Sequence, residues 1–354
     1  MRFLTLTPLL AAALTLTACT QEDPTLSVSH DLAKQVLVPS YSAWADADKA
    51  LSQSATAFCE GHQSLTDAKD HFLHAQQRWA ALQPILIGPL AEGNRAWQVQ
   101  FWPDKKDLVA RQVETLLKRN TNVTEADLAK ASVAVKGLSA YEYILFDERI
   151  NLEEAAQKTR YCALLTAIGG YQASLSQEVL NDWQKADGMQ KRLTDFPNAQ
   201  YADANEALAD LVRTQVNALD GLKKKLGAPM GKQTKGVPQP YQADAWRSQS
   251  SLKNLEQALL SAQKVWRGEQ GQGLRALVPA SQEKAITTLD QAFAETLGLL
   301  SAQQQSITML LKTDEGKAAL NELYDSLNRL HRAHENELAS ALGITLGFNA
   351  HDGD

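Results

Sequence analysis

"KGLSAYEYILFD", residues 136–147, is the stretch from which the rest of the chain is read. Leu138, Tyr141 and Leu145 recur at steps of three and four, the spacing of one helical face, and no strand-like alternation competes with it. Ser139, Glu142, Tyr143 and Phe146 fall on the adjacent face. Tyr141, Tyr143, Ile144, Leu145 and Phe146 surround Glu142 with apolar bulk. A helix this apolar belongs in the interior of a helical protein, and an ionised carboxylate there needs a partner or else a proton.

The same periodicity extends in both directions, in segments rich in Ala, Leu, Gln, Glu and Lys. It predicts long helices near 30–57, 65–83, 105–119, 125–147, 152–186, 202–226, 244–267, 281–311 and 314–341. Several starts carry their own signals. Ser64 and Thr66 precede one helix, Thr124-Glu-Ala-Asp127 reads as a capping box, and Thr313-Asp-Glu opens another. Pro39 either kinks the first helix or sits in its opening turn. The fold class is therefore all-α.

The first residues read as a leader rather than as fold. Arg2 supplies the positive region, Phe3–Leu16 the apolar one, and Leu16-Thr17-Ala18-Cys19 resembles a bacterial lipobox. Residues 1–18 are expected to leave, with Cys19 lipidated as a membrane anchor and 19–29 serving as a tether. Residue 20 is Thr rather than Asp, so the Gram-negative sorting rule directs the lipoprotein to the outer membrane, facing the periplasm. The net charge of −6 over 354 residues argues against a nucleic-acid partner. Cys59 and Cys162 remain. With no C-x-x-C spacing, in an oxidising compartment, they read as a structural disulfide, the alternative being two buried thiols.

Two long loops rich in Gly and Pro stand out, 85–104 and 226–244, and loops of that length in a compact domain are usually functional. They match each other. Trp79 and Leu219 lie ten residues before Pro89 and Pro229, and Leu108 and Leu252 lie six residues after Trp102 and Trp246. The reading is two helical bundles, 30–150 and 151–354, related by internal duplication.

"GLSAYEYILFD" (137–147), "RAWQVQFWPD" (95–104), "AWRSQSSLKNLEQAL" (245–259) and the tail "LGITLGFNAHDGD" (342–354), in this order, resemble the imelysin-like (peptidase M75) family, in its predicted periplasmic lipoprotein branch. The resemblance spans the chain after the leader. It implies two helical bundles with a site in the cleft between them, and a link to bacterial iron uptake. The family hallmark is G-x-H-x-x-E. Gly137 and Glu142 match it, and Ser139 stands where the His would be. His and Glu three apart share a helical face and hold one metal ion between them. A neutral Ser hydroxyl is a poor replacement ligand.

Two readings of Glu142 stand. It is a ligand contact or acid at the inter-bundle cleft, with Ser139 beside it, or a structural carboxylate tied to Arg78 or Arg247 or to a neighbouring loop. Trp102-Pro103-Asp104 and Trp246-Arg247-Ser248 divide the same way. Asp104 and Ser248 suit helix starts. Arg247 suits an anionic ligand or Glu142, and the Trp faces suit a flat ligand. His331, His334 and Glu335, at i, i+3 and i+4, form a candidate metal set. Like the pair His71 and His74, however, these histidines read first as exposed on a polar face. H-E-x-x-H and its inverse are both absent. The expected function is a binding protein that takes iron, another divalent metal or another small ligand in the cleft. The alternatives are a peptidase of the M75 type, and an envelope adaptor that binds protein partners without a small ligand.

Overall fold

The computed structural model describes residues 23–346, so the leader, Cys19 and the tail from 347 onward lie outside the described residues. The chain is already helical at Pro24, inside the expected tether. Helix α1 (Pro24–Asp31) passes through a π-helical turn (Leu32–Leu37) into α2 (Val38–Glu60). Pro39 explains the turn. It has no N–H to give and crowds the carbonyl four residues back, and a widened turn relieves both. Next come α3 (Leu65–Leu82), the short α4 (Arg95–Val99), α5 (Leu108–Arg119), α6 (Glu125–Lys130), α7 (Leu138–Phe146) and α8 (Ala155–Gln184). The second part holds α9 (Met189–Arg192), α10 (Ala204–Met230), α11 (Ser251–Arg267), α12 (Glu283–Ser301), α13 (Ile307–Leu310), α14 (Asp314–Arg332) and α15 (Ala339–Ala341). A second π-helical turn, Ala333–Leu338, joins the last two. There is no strand among the described residues.

Ser64 and Thr313 cap α3 and α14, and Thr124 with Asp127 forms the capping box of α6. The expected helix 125–147 is broken. A 3-10 turn (Val133–Val135) and Gly137, in extended conformation, separate α6 from α7. A Cβ built on Gly137 lies 2.4 Å from the Val99 carbonyl oxygen, so the chain crosses the end of α4 where only glycine fits. The expected helix 281–311 likewise ends at Ser301 and restarts at Ile307.

Helices α2, α3, α7 and α8 form one bundle, and α10, α11, α12 and α14 form the other. The most extensive packing in the chain is α2 against α8. The two run antiparallel, with Gly169 pressed against Ser52 and the Cys59–Cys162 disulfide closing one end. Helix α8, which follows residue 150, thus packs on α2 of the first bundle. The bundles share a face where α11 packs on α3, and one apolar cluster runs through both. The loop correspondence does not extend to local structure. Pro89 sits in a 3-10 turn, whereas Pro229 sits in the last turn of α10.

Candidate functional site

The two long loops meet over the C-terminal end of α7. Glu142 is buried on that helix, with both of its hydrogen bonds on one oxygen. Oε1 accepts from the Ser248 N–H at 2.8 Å and from the Ser248 hydroxyl at 2.7 Å. The Ser248 and Ser250 hydroxyls lie 2.8 Å apart, and Ser250 donates to Gln76 Oε1 at 2.6 Å. Burial pushes the Glu142 carboxyl up to about 7, against the pull of Ser248 and Arg247. Glu142 thus fastens the loop before α11 to α7. Ser248 spends its hydroxyl here and does not cap α11.

Ser139 is also engaged with backbone. Its hydroxyl donates to the Phe101 carbonyl at 2.9 Å and accepts from the Phe101 N–H at 3.2 Å. Both hydrogen bonds are on the first loop, so the side chain at the hallmark His position pins that loop to α7. Gln172 of α8 completes the seam, donating to the carbonyls of Gln98 and Lys136, each at 2.9 Å.

Arg247 does not pair with Glu142. Its Nε donates to Asp147 at 3.0 Å, one terminal nitrogen meets Asp107, and the other lies 3.8 Å from Asp104. Its guanidinium lies between two rings, 4.4 Å from the centroid of Trp246 and 5.3 Å from that of Tyr143. Arg149 holds the far side, at 2.6 Å and 2.7 Å from the two Asp147 oxygens and 3.1 Å from Asp107. Burial alone would raise the Asp147 carboxyl, but the hydrogen bonds from Arg149 and Arg247 bring it down to about 2. Asp104 is pushed up by burial and accepts from the Val109 N–H at 3.1 Å. It supports the start of α5, which begins at Leu108 and not beside Pro103. Arg78, the other expected partner of Glu142, is exposed and donates to His74 instead.

These charges floor an open cleft of about 730 Å³, a typical size for a small-molecule site. Asp104, Trp246 and Arg247 line it. Gly137, Ser139, Glu142, Trp102 and Ser248 do not line it and instead hold its walls in place. Trp102 lies behind the wall, donating its indole N–H to the Gln242 carbonyl at 2.9 Å. Lys106, Asp107 and Gln249 on the cleft hold left-handed backbone, with φ of 61°, 52° and 59°. Such conformations cost about 1 kcal/mol or more each in a non-glycine residue and gather at functional sites. Sequence reading missed Asp107, Tyr143, Asp147 and Arg149. For the three charged residues the available signal was charge density, in "PDKKD" and "FDER" at the ends of apolar segments.

The histidines behave differently from expectation. His331 and His334 are buried, not exposed on a polar face. His331 Nδ1 faces Lys223 Nζ at 3.1 Å, and His334 Nδ1 donates to the Leu330 carbonyl at 3.0 Å. Burial lowers both, His334 to about 4. Among the described residues no three His, Cys, Asp or Glu side chains are grouped to hold an ion, and this includes Glu142 and the His331–His334–Glu335 trio.

A family model described as Imelysin, Peptidase_M75, matches residues 37–334. No protein of curated function matches. Solved structures that share the fold include two. One is an imelysin-like protein from Psychrobacter arcticum 273-4, at 21% identity and a TM-score of 0.78, covering 92% of this chain and 97% of that one. The other, described as an iron-regulated protein A precursor from Parabacteroides distasonis ATCC 8503, has 16% identity, a TM-score of 0.74 and the same coverage. At such identities the likeness shows the fold alone.

Proposed function

The chain belongs to the imelysin family, and we propose that it is a binding protein of the bacterial envelope that holds a small ligand in the cleft over α7. In this reading Cys19 anchors it to the outer membrane, facing the periplasm, and the ligand serves iron uptake. The iron-regulated neighbour supports that last step by fold analogy only.

One observation carries the reading. The hallmark position that would bind an ion is instead engaged with Phe101 backbone, while a preformed cleft of about 730 Å³ opens at the other end of α7, by Phe146 and Asp147. Iron would then arrive as a chelate or other small molecule, not as a bare ion bound by His and Glu. The same observation weighs against a peptidase. The Ser139 hydroxyl has both its hydrogen bonds on the Phe101 backbone, and among the described residues no histidine bonds to it.

The test is native mass spectrometry, with elemental analysis and a visible spectrum, on protein purified from periplasm without chelators. The expected result is a small-molecule mass, with or without iron, in near-stoichiometric amount. Colourless protein of bare mass that takes up no added ferric chelate would remove this reading and favour the adaptor.

A further inference from the structure

We infer that the ligand is a planar aromatic anion, its ring laid against Trp246 and Tyr241 and its acidic group drawn by Lys106, Lys312 and the open edge of Arg247. This rests on the binding reading above and names the chemistry of the same cleft.

The charges on the cleft are not equivalent. Asp104, Asp107 and Asp147 face Arg247 or Arg149 within ion-pair distance, so little of their charge is left for a ligand. Lys106 and Lys312 also line the cleft, both exposed, and neither meets a carboxylate within 4 Å among the described residues. The Lys312 ammonium rests only on the Met309 sulfur, at 3.4 Å. Glu148 is the single acid on the lining that is likewise unengaged. The lining as a whole balances, four carboxylates against Lys106, Arg149, Arg247 and Lys312, so the draw on an anion is local, at the two lysines that no carboxylate meets.

The floor agrees with this. The Arg247 side chain is 3% exposed, yet among the described residues Nη1 makes no hydrogen bond and its nearest carboxylate, Asp104, is at 3.8 Å, which leaves its N–H groups for a ligand. A buried guanidinium donor with no bond made is well placed to select a carboxylate or sulfonate.

The apolar part of the lining is aromatic. Tyr241 is 67% exposed, an unusual state for a large ring, and stands edge-on to Trp246 at 4.9 Å. Arg247 already covers one face of Trp246. The open surface of this corner suits the face of another ring. Met309, 44% exposed, also lines the cleft as an adaptable apolar contact.

The experiment uses the chain from residue 20 onward, which keeps every contact described above. It is titrated with two fluorescent probes. One is 8-anilinonaphthalene-1-sulfonate, a flat aromatic anion. The other is N-phenyl-1-naphthylamine, which has the same rings and no sulfonate. The anion should bind saturably, one per chain, and at least tenfold more tightly than the neutral probe. Lys106→Gln with Lys312→Gln should weaken the anion about tenfold or more and leave the neutral probe within about twofold. Tyr241→Ala should weaken both probes, with melting unchanged.

Equal binding of the two probes, no saturable binding of the anion, or an anion affinity indifferent to both lysines would overturn the assignment. The binding reading is judged separately. A copurified small molecule displaced in Tyr241→Ala would keep the cleft as a site even where the aromatic-anion class had failed.

Discussion

Glu142→Gln tests whether a buried acid fastens the second loop at a cost to the fold. In the folded chain the carboxyl titrates at about 7, against the ordinary 4.5. Between those pH values the folded protein keeps a proton that the unfolded chain releases, so stability falls as pH rises. The loss begins near pH 4.5 and is complete above pH 7. About 2.5 units at about 1.4 kcal/mol each comes to about 3 kcal/mol. Glutamine has the same shape and stays neutral, and its Oε1 still accepts from the Ser248 N–H and hydroxyl. At pH 4.5 the variant should match the parent within about 1 kcal/mol, and at pH 8 it should be more stable by about 3 kcal/mol. Urea unfolding of both proteins from pH 4.5 to 8.5 gives the difference directly, and titrations shared by both cancel. A difference that stays flat across that range would refute the reasoning, since it would mean that Glu142 is ionised and well accommodated at every pH tested. The cleft should keep its ligand in Glu142→Gln, because Glu142 does not line it.

Three further outcomes follow from single contacts. Gly137→Ala drives a Cβ to 2.4 Å from the Val99 carbonyl oxygen, and should cost about 2 kcal/mol or more in urea unfolding by forcing α4 and α7 apart. Cys59→Ser with Cys162→Ser opens a cross-link spanning 103 residues. Chain entropy sets that loss at up to about 4–5 kcal/mol, to be read as a drop in melting temperature equal to that of the reduced parent. His334 is held neutral down to about pH 4, so the unfolded chain binds the extra proton between 6.5 and 4. Its contribution is whole above 6.5 and fades by up to about 3 kcal/mol as pH falls toward 4; His334→Phe should flatten that acid limb of the stability curve.

What could be read from sequence was whatever helical periodicity alone determines. Helices α3, α5 and α8 sit close to their expected bounds, because each buries a face repeated every 3.6 residues and begins or ends at residues that say so. The break between α6 and α7 was not legible. Nothing local forbids a helix through Val133–Val135; the interruption is imposed by the carbonyls of Gln98 and Val99 lying against Gly137. The buried state of His331 and His334 is legible in the sequence. They stand four residues after Leu327 and Leu330, on the same apolar ridge, and their spacing was the better guide than their polarity.

The site shows the deeper limit. Arg247 was a fair guess as partner to a carboxylate of α7, but two carboxylates compete for it. Glu142 lies in the body of the helix, where holding an ion pair would mean desolvating two charges. Asp147 lies one residue beyond the helix end, where Arg149 adds a second set of hydrogen bonds and solvent is near. The cation goes to the acid that is easier to keep ionised, and the interior acid is left to neutral donors from Ser248. That choice sets the geometry of the cleft. With Arg247 drawn outward to Asp147 and Asp107, Trp246 turns a face to the open side, and Ser248, the residue after Arg247, is free to reach inward to Glu142. One loop thus faces two ways, its basic residue toward the cleft and its hydroxyl toward the core. Only the partners' positions, 100 and more residues away in sequence, determine which is which.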